Sequence, residues 1–242
     1  MKQHSFLYIF PHPDDESFGP AAAMHKQIRE GHEVHLLTLT RGGATKQRIP
    51  LGYSVERMGE VRHDEMQNMA RVLALSSMTV LDLPDDGLKD MNPLTLETII
   101  TKHIHQIGPD IVVTYPVHGI SGFHDHLVTH AIVKRVFCKL RSLGEEHPKR
   151  LAFTTLRLGP ELEDFYFPLN GSTDEEIDCI ITVEDSDLLA QREALACYKT
   201  YKKVIDETQI ADKISINFYF EIFDENFDPP IIDLTHNLPS IF

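Results

Sequence analysis

No window of this sequence approaches the ~18 apolar residues that a membrane-spanning helix needs. Cysteine is scarce as well. Cys138, Cys179 and Cys197 are odd in number and far apart, and no C-x-x-C pair occurs. This excludes a disulfide scaffold and suits free thiols in a reducing compartment. The N-terminus has one early lysine and a short apolar run before a polar segment, so no signal peptide is expected. Cations are outnumbered: 23 Lys and Arg against 37 Asp and Glu give a formal charge of -14. Such a chain repels phosphate backbones, so neither nucleic acid nor an anionic membrane is an expected partner. The G-x-G-x-x-G spacing of a dinucleotide site is missing; "TRGGAT" (40–45) is glycine-rich but follows the second strand rather than the first. Repeats and low-complexity tracts are lacking. The expectation is a soluble, cytoplasmic protein.

What remains is a globular chain of 242 residues, 42% of them hydrophobic, long enough for a sizeable core. Apolar runs alternate with amphipathic stretches. "FLYIF" (6–10), "EVHLLTLT" (33–40), "MTVLDLP" (78–84) and "DIVVTYP" (110–116) read as buried strands. Residues 16–30, 55–75, 93–107 and about 126–142 read as helices, with Gly31 and Gly108-Pro109 as stops. "DDG" (85–87) reads as a turn. Strands alternating with helices imply βαβ units with right-handed crossovers and a doubly wound, mainly parallel sheet, an α/β fold. Beyond residue 150 the pattern changes. "LAFTTLRL", "IDCIITVE" and "KISINFYFEIFDENF" read as strands, and 185–201 as a helix with Asp185 or Ser186 as N-cap. The expected organisation is one domain over 1–242, with a core at 1–145 and an extension at 146–242 that covers or extends the sheet.

In an open doubly wound sheet, ligands bind outside the carboxyl ends of the strands, where the strand order reverses. With the common order 3-2-1-4-5, strands one and four are neighbours across that switch. "PHPDDE" (11–16) follows strand one and "HGISGFHDH" (118–126) follows strand four. The two loops richest in His and Asp thus converge on one crevice. His12, Asp15 and a histidine of the second loop would make a two-His, one-carboxylate set. Such a set is found in catalytic zinc sites, which keep an open position, and in non-haem Fe(II) oxygenases. Asp14, beside the metal but not bound to it, is a candidate general base. A cation would also relieve the repulsion among Asp14, Asp15 and Glu16. Each feature alone has a plainer reading: an acidic run after a strand is often a solvated turn and helix start. His4, His25, His32, His35, His103, His105 and His147 read as structural.

These motifs resemble the LmbE-like, or PIG-L, family of zinc-dependent N-acetylglucosaminyl deacetylases. "PHPDDE" is similar to the family's A/P-H-P-D-D-E signature, and "GFHDH" (122–126) to its G-H-P-D-H. "TYP", "TRGG", His130, "VRHDEMQNMARVL" and "ALACY" fit the same register over roughly residues 5–200. The resemblance implies a Rossmann-like, LmbE-like fold and a Zn2+ cofactor held by His12, Asp15 and His126. Asp14 would be the general base and Asp125 a partner that orients a histidine. Arg62, and less directly Arg41, would reach the substrate. The family's first histidine of G-H-P-D-H is replaced by Phe123, so His124 or His118 would take over oxyanion stabilisation. The implied reaction is deacetylation of a small N-acetylglucosamine-type conjugate, giving acetate and a free amino sugar. Family substrates include thiol-cofactor precursors (the bacillithiol branch among them), chitin-derived sugars, glycolipids and antibiotic intermediates. Loops at 41–55, 84–92 and 160–175 would choose among them. A homo-oligomer is left open. Two other classes stay in view: an Fe(II)-dependent oxidoreductase at the same triad, and a non-enzymatic metal- or sugar-binding homologue.

Overall fold

The computed structural model describes residues 2–162 and 168–239. The chain runs β1 (Ser5–Phe10), α1 (Asp15–Phe18), α2 (Ala21–Arg29), β2 (Glu33–Thr40), α3 (Val55–Leu73), β3 (Ser77–Leu83), α4 (Pro93–Ile107), β4 (Ile111–Thr114) and α5 (His124–Ser142). It continues with β5 (Arg150–Thr155), β6 (Cys179–Thr182), α6 (Asp185–Cys197), α7 (Lys202–Thr208), α8 (Ile210–Lys213) and β7 (Asn217–Ile222). The strands form one sheet in the order β3-β2-β1-β4-β5-β7-β6. The first five pair in parallel; β7 is antiparallel to both β5 and β6. The fold is α/β with a mainly parallel sheet, and β5, β7 and β6 extend it.

Strand alternation divides β1 between two cores. Phe6, Tyr8 and Phe10 point to one face, packed with Met24 of α2, Met66 and Met69 of α3 and Ala194 of α6. Leu7 and Ile9 point to the other, packed with Ile100 of α4 and Val133 and Phe137 of α5. Both faces are covered, which is why the parallel strands read as unbroken apolar runs. β1 and β4 are paired neighbours whose following helices lie on opposite faces. That pair marks the switch point, and the loops leaving it carry the site.

The expected helix over 16–30 is two helices. Gly19-Pro20 interrupts it, and Gln191 of α6 fills the break: its amide nitrogen donates to the carbonyls of Ser17 and Gly19, both at 2.9 Å. Its oxygen accepts from Ala22 N–H at 3.2 Å. The helix expected at 185–201 ends at Cys197, and its N-cap is Glu184 rather than Asp185 or Ser186. Glu184 and Asp187 close a reciprocal capping box there. The expected strand 110–116 shortens to Ile111–Thr114, because Tyr115 and Pro116 already turn into the loop. Among the described residues no helix is long and apolar enough to cross a membrane.

Candidate metal centre

The chain leaves β1 through Pro11–Asp14 and enters α1 at once. Asp14 is the pivot. Its φ of 81° lies in the left-handed region, which costs a residue with a side chain about 1–2 kcal/mol. Asp and Asn tolerate it best, and such strain gathers at functional sites. The turn lets the Asp14 carbonyl accept from Ser17 and Phe18 N–H at 2.9 and 2.8 Å, starting α1. It also folds Asp15 back, so that its Oδ2 accepts from His12 N–H at 2.8 Å. In the loop after β4, Gly119 has φ 64°, and a Cβ there would stand 2.9 Å from His126 Cβ. Only glycine fits so close a passage.

The hydrogen-bond directions around the two histidines fix what they can bind. His126 Nδ1 lies 2.9 Å from the Gly119 carbonyl, which only accepts. Nδ1 therefore carries the proton, and Nε2 turns its lone pair towards Asp15 Oδ1, 3.4 Å away. His12 Nε2 faces Asp125 Oδ2 at 3.2 Å and Asp85 Oδ1 at 3.4 Å, so its proton lies on that side. His12 Nδ1 is left facing Asp15 Oδ2 at 3.6 Å. When both rings are neutral, two imidazole lone pairs thus point at one carboxylate. Acceptors facing acceptors repel unless a cation lies between them. His12, Asp15 and His126 each offer a ligand atom, all within 4.8 Å of one another. The donor set fits a divalent cation on two imidazoles and a carboxylate, each histidine held through its other nitrogen. A second acidic group, His12 with Asp85 and Asp125, meets the same spacing. Asp125, however, also accepts from Asp86 and Leu88 N–H at 2.8 and 3.1 Å.

Three further groups pack against this centre. Tyr115 donates to Asp15 Oδ1 at 2.8 Å and stacks on the His126 ring at 4.1 Å and 10°. Arg62 of α3 is buried; it pairs with Asp14 Oδ2 at 2.5 Å and donates to the Pro13 and Gly42 carbonyls. The Tyr201 ring covers its guanidinium at 4.3 Å. Gly42 makes room for it, since a Cβ there would lie 2.3 Å from Arg62 Nη1. Glu16 is fully buried and accepts from Ser17 and Tyr198 hydroxyls, both at 2.6 Å.

Charge is correspondingly strained. Burial pushes the Asp14 carboxyl up to about 8, against the pull of Arg62 and with the push of Asp15 and Glu16. Burial likewise takes Glu16 up to about 7, opposed by its two hydroxyl donors. Burial alone would raise Asp15 too, but positive charge opposite it, on His126 and His12 when their rings are protonated, holds it below the usual carboxylate range.

His12, Asp14, Asp15, His126 and Asp125 therefore meet at one place. Arg62 is also there, but enclosed behind Asp14 rather than open to a ligand. Arg41 is half-exposed and faces Asp82 at 3.6 Å. His118 is committed elsewhere. Its Nδ1 accepts from Ile120 N–H at 3.1 Å, and its Nε2 then faces Ser172 Oγ at 3.4 Å. Ser172 in turn donates to Glu221 Oε1 at 2.5 Å. His124 is exposed at the first position of α5. Of the expected substrate loops, 41–55 and 84–92 leave the sheet at the site end, while residues 163–167 of the third lie outside the described residues.

Asp85, Tyr115 and Tyr198 escaped the sequence reading. Asp85 sat in a segment read only as a turn, although a carboxylate just beyond a strand's carboxyl end was the available signal. Tyr115 and Tyr198 lay inside "TYP" and "ALACY", which carried register but no role.

The family described as PIG-L, GlcNAc-PI de-N-acetylase, matches residues 7–137, more than half of the chain. The chain belongs to the PIG-L family. The matched segment holds His12, Asp14, Asp15, Asp125 and His126. Among relatives, the mycothiol S-conjugate amidase of Streptomyces coelicolor is 29% identical over 153 residues, covering 56% of this chain and 52% of that protein. The probable N-acetyl-alpha-D-glucosaminyl L-malate deacetylase 2 of Bacillus subtilis is 27% identical over 159 residues, covering 65% of this chain and 70% of that protein. The match thus spans about half the length of the first relative and more of the second. Among solved structures, GalB, the 4-carboxy-2-hydroxymuconate hydratase of Pseudomonas putida KT2440, superposes with a TM-score of 0.68 at 12% identity, over 92% of this chain and 97% of that one. That likeness concerns the fold alone, and one fold can carry unrelated chemistries, so the reaction must be argued from the site.

Proposed function

We propose that the chain is a zinc-dependent hydrolase that removes the acetyl group from an N-acetylglucosamine-type conjugate, releasing acetate and a free amino sugar. The observation that carries this reading is the pair of imidazole nitrogens, His12 Nδ1 and His126 Nε2, turned on Asp15 with Asp14 adjacent. A divalent cation held by these three residues would polarise the amide carbonyl and acidify a water. Asp125 and the Gly119 carbonyl keep the two histidines in the tautomers that such binding requires. A cation on the adjacent ligands would draw the Asp14 carboxyl down from about 8, and the carboxylate so formed takes the proton of the attacking water and passes it to the departing nitrogen, so the C–N bond breaks with the amine neutral. Arg62 holds the Asp14 carboxylate in place from behind. Since His118 is engaged with Ile120 and Ser172, His124 is the side chain left to steady the developing oxyanion. Deacetylase and amidase relatives support the reaction class. The three cysteines are free thiols, which supports a reducing compartment as the place of action.

The test is acetate release over a panel of N-acetylglucosamine conjugates, with zinc and with chelator. The expected result is release that chelator abolishes and zinc restores, independent of oxygen. Asp14→Asn keeps the left-handed backbone and should bind zinc as tightly as the parent while losing most turnover. Undiminished turnover in that variant would sink the base assignment.

A further inference from the structure

The loop between β4 and α5 holds two consecutive left-handed residues, Gly119 at φ 64° and Ile120 at φ 56°. Glycine takes that backbone freely. A β-branched residue there is an outlier, and it persists only where its surroundings over-determine it. Here they do. The Ile120 carbonyl accepts from the backbone N–H of Asn170 at 2.8 Å and from its side-chain amide at 3.0 Å. The Ile120 N–H donates to His118 Nδ1 at 3.1 Å. Asn170 and Ser172 lie on the connection between β5 and β6, so a distant segment fastens this turn.

The peptide between Gly119 and Ile120 has a histidine at each end. Its N–H goes to His118, and its carbonyl lies 2.9 Å from His126 Nδ1. The carbonyl also accepts from Ser121 N–H at 2.6 Å. Ser121 Oγ stands 3.2 Å from the same His126 nitrogen and donates to the same carbonyl at 3.4 Å, which leaves Nδ1 to donate. Rotating this one peptide would turn an N–H on His126 and a carbonyl on His118. His126 could then keep a bond only by moving its proton to Nε2, the nitrogen that faces Asp15.

His118 is itself set from behind. Burial holds its ring below the ordinary value, helped by His130 and opposed by Glu176, so near pH 7 it is neutral with one lone pair to offer. Its Nε2 faces the Ser172 hydroxyl, whose own proton goes to Glu221. Every donor therefore points the same way: His126 to Gly119, Ile120 to His118, His118 to Ser172, Ser172 to Glu221. Hydrogen bonds in series polarise one another, and a ligand histidine held through its other nitrogen is a stronger ligand.

We propose that His118 is a positioning residue for the metal centre: by accepting from Ile120 N–H it fixes the peptide whose carbonyl keeps the proton on His126 Nδ1, and so leaves Nε2 for the cation. This rests on the reading of His12, Asp15 and His126 as a cation site, and not on the acetyl group as substrate.

The test is zinc titration by calorimetry, with long-range proton–nitrogen spectra of the histidine rings in the metal-free protein, on wild type, His118→Leu and His118→Asn. An asparagine side chain accepts from the N–H two residues on, so it keeps the bond to Ile120. In wild type, His118 is expected to carry its proton on Nε2 and His126 on Nδ1. His118→Leu should mix the His126 tautomers and weaken zinc binding about 10–100-fold. His118→Asn should restore the single tautomer and most of the affinity. A proton on Nδ1 of His118 in wild type overturns the proposal even if the leucine variant does not fold. So does an unchanged His126 tautomer or zinc affinity in His118→Leu, or an asparagine variant no better than leucine. A wild type that takes up no zinc overturns it together with the reading of the centre. Zinc binding with this dependence on position 118, but no acetate release from any N-acetylglucosamine conjugate, supports it while the deacetylase reading falls.

Discussion

Arg62 and Asp14 form a buried ion pair that holds the loop after β1 in a conformation it would not choose alone. Removing one partner of such a pair strands the other. Arg62→Ala is therefore expected to lower stability by about 3–5 kcal/mol in urea unfolding. A loss under ~1 kcal/mol would show that Asp14 is carried protonated, as its raised carboxyl allows, so that no charge is stranded. His124 is a different kind of residue, exposed and outside the core. His124→Ala should leave stability and zinc affinity alone yet reduce kcat on the order of 10²–10³, the usual worth of one oxyanion donor; an unchanged kcat would remove it from the mechanism. At this scale the sequence was legible where partners are close along the chain. His12, Asp14 and Asp15 share one turn, so their convergence follows from the loop. Tyr115 meets Asp15 from 100 positions away, and nothing local in "TYP" announces that contact. The partners of His118 were hidden for the same reason: they include Ser172, which belongs to a distant strand connection.

Among the elements, α6 links the two halves of the chain. It packs beside α2 and α3, fills the α1–α2 break with Gln191, and is followed by Tyr198, which reaches Glu16. Near its start, buried Asp187 accepts from Arg29 at 3.0 Å and pairs with His25 at 2.7 Å, both on α2. Burial works against the Asp187 carboxylate, but the donors on α2 and the Glu184 N–H outweigh it and hold it below the usual 3.8. A carboxyl depressed by folding adds stability above its unfolded value and loses it as pH falls through the folded one. Wild type should therefore unfold at a higher temperature than Asp187→Asn at neutral pH, and the gap should close as pH falls below about 4. A gap that stays constant down to pH 2–3 would mean that the α2–α6 contact does not depend on this charge. The break at Gly19-Pro20 was visible as residues, yet a short interruption reads as helix when the flanking alanines are strong helix formers. What decides it is Gln191, far along the chain.

Across the whole molecule, the first four strands and their loops build the centre, and the rest of the chain braces it. The parallel order was readable because alternation of strand and helix leaves few topologies, and so was the switch point between β1 and β4. How the last strands join was not, since an aromatic run does not state its direction; β7 runs antiparallel between β5 and β6. Arg150 secures the C-terminal segment. It is fully buried, pairs with Glu225 at 2.6 and 2.8 Å, and donates to the carbonyls of Leu234 and, at 3.0 Å, His236. Arg150→Ala should release the chain beyond β7, seen as rapid proteolytic cleavage after residue 222 under conditions where wild type resists. Equal resistance would show that apolar packing of Ile231 and Leu234 suffices.

The left-handed turn at Asp14 also bears on how this chain can drift. Asparagine and glycine accept that backbone at least cost, and each lies a single base change from an aspartate codon. Neither can accept a proton as a carboxylate does. On the proposed mechanism, Asn, whose side-chain oxygen can still accept from Arg62, would leave the ligand set in place and the reaction silenced, whereas Gly would also strand Arg62. If the proposed mechanism holds, an inactive descendant that keeps the ligand set is one mutational step away, and a census of natural variants at position 14 should be weighted towards asparagine.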